Sequence, residues 1–139
     1  MTIRRKAVEQ QLGEARNNPD LLRFAYTWRN DLTDEQNMRR VMLRECLQKI
    51  HYDVAGTGEK GASFIWAQDD GLIHTSQGIS CNTDVVKRLL HMWLNKQDII
   101  GQPCDGYTVV MNNEDFVKVG CHVIPTWNVL ALCKQLNVA

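Results

Sequence analysis

Two stretches of this chain run through the same order of local signals, and that recurrence restricts the fold more than any other feature. SFIWAQDDGLIHTSQGISCNTDVVKRLL starts at Ser63, and TVVMNNEDFVKVGCHVIPTWNVLALCK starts at Thr108. In the first, residues 63–68 alternate as a strand, Asp69, Asp70 and Gly71 supply a tight turn, and residues 72–76 form a second strand. Asn82, Thr83 and Asp84 then cap a helix that turns Val85, Val86, Leu89, Leu90 and Trp93 inward. In the second, strand 107–111, a turn at 112–115 and a strand from Phe116 to about Ile124 lead into a helix opened by Pro125 or Thr126. That helix carries Val129, Leu132, Cys133 and Leu136 on one side. The two stretches share few identical residues, so they read as a structural repeat rather than a duplication.

A hairpin alone cannot bury its apolar face. The two are therefore expected to pair into one four-stranded antiparallel sheet with helices packed on it. Ahead of them, residues 1–52 read as two to three helices. Ile3, Ala7, Val8, Gln11, Leu12 and Ala15 follow a helical stripe, Asn18 and Pro19 launch a second helix through Leu21, Leu22, Ala25 and Trp28, and a third begins at Thr33. Thr33 and Gln36 stand at capping-box spacing. Met38, Val41, Met42, Leu43, Cys46, Leu47 and Ile50 then give a broad apolar face, with Arg39, Arg40, Arg44 and Lys49 among and around it. The fold class is thus α+β: one domain over 1–139, with a helical part at 1–52 and ββα units at 63–95 and 107–137.

Charge excludes more than it assigns. Sixteen basic and sixteen acidic residues cancel, so no overall field favours nucleic acid or an anionic membrane. Residues 1–50 hold ten Lys and Arg against seven acids, and the remainder holds six against nine. No apolar run reaches the roughly 18 to 20 residues that a membrane span needs, so no membrane partner is expected. Five scattered cysteines and an opening MTIRRKAVEQQ without a signal-peptide pattern point to a reducing, cytoplasmic setting.

GTGEKG, at residues 56–61, has the glycine spacing of a phosphate loop but the wrong neighbours. A dinucleotide fingerprint needs a strand before the glycines and a helix after them, since the helix N-terminus meets the phosphates. Here a helix precedes and a strand follows. Zinc finds no CxxC or HxxxH pair. The best assembled set is His74, Cys81, Cys121 and His122, and Cys121 and His122 are expected to leave opposite faces of one strand. A thiol enzyme would draw on Cys121 or on Cys104, whose loop position suggests exposure, while Cys46 and Cys133 lie on apolar helix faces. Asp69, Asp70, Glu114 and Asp115 belong to turns. No catalytic residue, cofactor or metal is assigned.

Aromatic placement is more informative. Phe64, Trp66 and Gln68 share one face of the first strand, and Ile65 and Ala67 the other, so neither face is polar. Either the N-terminal helices cover the second face, or it stays open as a binding platform. Interface hot spots favour Trp, Tyr and Arg, which singles out Trp66, Tyr107, Arg39 and Arg40, with Lys60 and His74 beside them. The expected function is a small non-enzymatic regulator or inhibitor that binds another protein, of a kind that fits phage or mobile-element chains. A homodimer is compatible with it. The alternative is nucleic-acid binding through Arg4, Arg5, Lys6, Arg39, Arg40, Arg44 and Lys49. A third is an enzyme whose Cys/His site is assembled by folding, with His74 or His122 in a pocket.

Overall fold

The structure, a computed structural model, describes residues 10, 13–16, 18, 20–27, 30–55 and 62–138, the side chains of 49–55 excepted. Most of the helix expected over 3–16, together with Pro19, Trp28 and the GTGEKG stretch with Lys60, lies outside the described residues. Residues 13–16 are helical, and α1 (Asp20–Tyr26) and α2 (Asp34–Ala55) follow. The capping box forms as expected: Thr33 Oγ1 accepts from the Gln36 N–H at 3.1 Å, and Gln36 Oε1 accepts from the Thr33 N–H at 2.9 Å.

Two arginines decide how α2 turns. The last carbonyls of α1 have no partner within their own helix, and Arg40 Nε donates to Phe24 O at 3.1 Å while Arg44 Nε and Nη2 donate to Ala25 O at 3.0 and 2.9 Å. That contact rotates the Arg40, Leu43, Arg44 and Leu47 side of α2 inward. Leu43 and Leu47 are fully buried, whereas Met38, Val41 and Met42 are exposed. Only one side of the broad apolar face is covered.

The strands are β1 (Ile65–Ala67), β2 (Leu72–Thr75), β3 (Ser80–Asn82), β4 (Pro103–Cys104), β5 (Tyr107–Asn112), β6 (Phe116–Val119) and β7 (His122–Pro125). They form two antiparallel sheets, β1-β2-β3 and β4-β5-β6-β7, followed respectively by α3 (Thr83–Leu94) and, at the end of the chain, α4 (Thr126–Gln135). The α+β class holds, while the single four-stranded sheet of ββα units is corrected. Each unit turns once more before its helix. Thr75 Oγ1 accepts from the N–H groups of Gln77 and Ile79, and Gly78 at φ 78° completes the reversal into β3. Gly120 at φ 58° splits the expected strand 116–124 into β6 and β7 through a two-residue turn, a position that suits glycine.

One parallel bridge, Ala62 with Val123, joins the sheets, and Ser63 N–H donates to Val123 O at 2.7 Å. Beyond it, the outer edge of β1 meets a helix in place of a strand. Asn128 of α4 accepts from the Ile65 N–H at 2.7 Å and donates to Ile65 O at 2.8 Å; two turns later, Gln135 accepts from the Ala67 N–H at 2.8 Å and donates to Ala67 O at 3.2 Å. These amides satisfy the groups that a neighbouring strand would use. They are why the two sheets do not merge.

Both faces of β1 are covered. Ile65 enters the main core between the sheets, α3 and α4, with Ile73, Leu89, Val109 and Leu132. Phe64 and Trp66 enter a second core with Ala15, Leu22, Ala25, Leu43 and Leu47. The N-terminal helices thus close the face that carries Trp66. Among the described residues no helix is long and apolar enough to cross a membrane.

Candidate functional site

Trp66, expected as an exposed contact, is 3% exposed and sits in a column of flat groups. Its ring stacks on Tyr26 at 6.2 Å and on His74, its cross-strand partner, at 6.4 Å. The Arg44 guanidinium lies 5.6 Å over the Tyr26 ring, and His74 Nε2 meets Asp70 Oδ2 at 2.7 Å. The column ties α2 to the tip of the first hairpin. The His74 contact holds the Asp70 carboxyl below its ordinary value, chiefly through their hydrogen bond. Burial pushes the Tyr26 hydroxyl up to about 12. Arg40 is also buried, 8% exposed, with its charge spent on the α1 carbonyl. Trp66 and Arg40 are therefore interior residues.

Arg39 stays outside, 3.6 Å from Glu14, and borders the clearest surface feature. Met38, Val41 and Met42 are 68%, 50% and 46% exposed, at the i, i+3, i+4 spacing that lines one side of a helix. Acidic Asp34 and Glu35 stand at the N-terminal end of this face. The sequence pattern assigns these three residues to one broad apolar face without separating its buried side from its exposed one. The available signal was the width of the apolar set, which runs almost round the helix and exceeds what one neighbour covers.

Tyr107 and His122 come together elsewhere. Their rings meet edge to face at 5.5 Å, and the Tyr107 ring fills the space beside Gly120 where a Cβ would stand 2.9 Å from Cδ1. His122 Nδ1 lies 3.0 Å from Ser63 Oγ, and His122 Nε2 lies 3.9 Å from Cys121 Sγ. The expectation that Cys121 and His122 diverge on one strand is corrected: Cys121 belongs to the turn, which frees its thiol to lie beside the ring. The exposures of the two candidate thiols are also reversed, since Cys104 is buried in β4 and Cys121 is exposed. Burial pushes the Cys104 thiol up to about 12 and holds the His122 imidazole below its ordinary 6.5.

Behind Tyr107 and His122, an apolar cavity of about 90 Å³ lies between the sheets and α3, walled by Ile73, Leu89, Val109, Val117 and Ile124. It is smaller than the roughly 150 Å³ that admits benzene to an apolar interior. It reads as a packing void. The four residues weighed for zinc fall in three places: His74 by Asp70, Cys81 beside Cys104, and Cys121 with His122 at the β6–β7 turn. Among the described residues no three His, Cys, Asp or Glu side chains gather as metal ligands. Compared with known proteins, the chain matches no family model, no curated protein and no solved structure.

Proposed function

We propose that this chain is a protein-binding module, a small cytoplasmic regulator or inhibitor that engages its partner through the outer face of α2. The observation that carries this reading is the exposed set Met38, Val41 and Met42 beside Arg39. Methionine and arginine are enriched where proteins meet, and a helix face with apolar anchors at this spacing fits a groove or another helix. The nucleic-acid alternative is weakened by the same arginines that turn α2. Arg40 and Arg44 donate to backbone carbonyls, which removes two members of its phosphate-contacting set.

The test is affinity capture from nuclease-treated lysate with the wild-type chain and a Met38→Glu, Met42→Glu double variant, followed by affinity measurement on the purified pair. Both positions are exposed, so the variant should keep its thermal midpoint. The expected outcome is a partner bound by the wild type and weakened by at least about 30-fold in the variant, the loss that a hot spot of about 2 kcal/mol produces. A partner held equally by both proteins would remove α2 from the interface.

A further inference from the structure

The group at the β6–β7 turn has chemistry that a binding module does not use. Cys121 presents an exposed thiol at the tip of a tight turn. His122, the next residue, is held from two sides: Ser63 Oγ stands 3.0 Å from Nδ1, and the Tyr107 ring packs edge-on at 5.5 Å. Ser63 is itself fixed, 2% exposed, with its backbone N–H bound to Val123 O across the joint between the sheets. In the tautomer that donates Nδ1–H to the Ser63 hydroxyl oxygen, Nε2 carries its lone pair toward the thiol 3.9 Å away. Burial favours the neutral form of this imidazole, the state in which it accepts a proton. Nucleophile, base and orienting group are thus in the order that activates a side chain for attack.

Cys121 is exposed at the turn, and the cavity that His122 borders, about 90 Å³, is too small for a large substrate, which favours an electrophile that a thiol attacks without a binding pocket. We propose that Cys121 is a thiol–disulfide exchange site, with His122 as its base and Ser63 as the positioning residue, that takes a low-molecular-weight disulfide into a mixed disulfide. The Cys121 S–H proton passes to His122 Nε2, and the thiolate attacks one sulfur of the small disulfide. The S–S bond of the reagent breaks as the new one forms, and the departing thiolate takes the proton from the imidazolium. One disulfide and one thiol enter, and one mixed disulfide and one thiol leave. The remaining cysteines are poor competitors: Cys46, Cys104 and Cys133 are buried, Cys81 is half-buried, and burial raises the pKa of Cys81, Cys104 and Cys133.

The test uses the reduced full chain and oxidised glutathione across pH 5 to 8, with the adduct located by peptide mass mapping. The expected first adduct is at Cys121, formed at least about 10-fold faster at pH 6.5 than on free N-acetylcysteine, a threshold below the roughly 100-fold that a positioned base typically supplies. The wild-type rate should hold until the pH falls through the titration of His122, below 6.5. Among the described contacts of His122, the titratable neighbours are Cys121 and Tyr107. His122→Gln should instead slow about tenfold per pH unit throughout the acid range, and Ser63→Ala should fall toward it, with Ser63→Thr restoring the wild-type profile. The wild-type rate alone can overturn the proposal, whatever the variants' folding: a first adduct at another cysteine, or a Cys121 rate equal to that of the free thiol, sinks it. An unchanged pH profile in a folded His122→Gln protein does the same.

Discussion

Gly120 is a single residue on which the β6–β7 turn, the seat of Tyr107 and the position of His122 all depend. Its φ of 58° is one that other residues adopt at a cost, and a Cβ there would stand 2.9 Å from Tyr107 Cδ1. Gly120→Ala should therefore lower stability by about 1 to 3 kcal/mol in urea titration. An unchanged midpoint would mean that neither backbone strain nor the Tyr107 contact matters. What is readable at this scale is what bonds to near neighbours. Thr33 with Gln36, and Asn82 with the N–H groups of Asp84 and Val85, reach no further than three residues, and both caps are plain in the sequence. Ser63 and His122 are 59 residues apart, and no local pattern announces their meeting. A glycine inside the apolar run VKVGCHVI was the one sign of the turn that frees Cys121.

Among the elements, β1 depends most on others, because its outer edge is finished by side chains of α4. Asn128 is fully buried and serves both polar groups of Ile65. Asn128→Leu should strand that N–H and C=O and cost about 2 to 6 kcal/mol, since each orphaned buried group costs about 1 to 3. Chemical denaturation measures the loss. Light scattering should also report self-association through the opened edge, and a monomeric variant of wild-type stability would remove this role from Asn128. The helices and hairpins were legible here because periodicity and turn residues are local. The extra strands β3 and β4 are three and two residues long, too short to show a period, while β7 reads as the end of one long strand because only Gly120 marks the turn before it. The buried side of α2 was not legible, because Arg40 and Arg44 choose it by reaching carbonyls of another helix.

At the scale of the whole molecule, one half-buried and one buried neutral acid make the fold sensitive to alkali. Burial raises the Tyr26 hydroxyl from 10.0 to about 12 and the Cys104 thiol from 9.0 to about 12. The unfolded chain gives up these protons first, so their contribution to stability is complete below pH 9 and is lost as the pH climbs toward 12. Melting temperatures across that range should fall, and Tyr26→Phe, which keeps the ring column, should flatten the part above pH 10. A flat profile for the wild type would show that neither group is sequestered. The α+β class is written in the order of local signals, whereas the division into two sheets is set by contacts between distant parts of the chain. Asn128 lies 63 residues after Ile65, and Gln135 lies 68 after Ala67. During synthesis the first sheet therefore leaves the ribosome well before the helix that finishes it. For that interval the nascent chain presents a bare strand edge to every neighbour in a crowded cell, and the pace at which the roughly fifty residues from the end of β3 through α4 are translated governs how long it stays vulnerable.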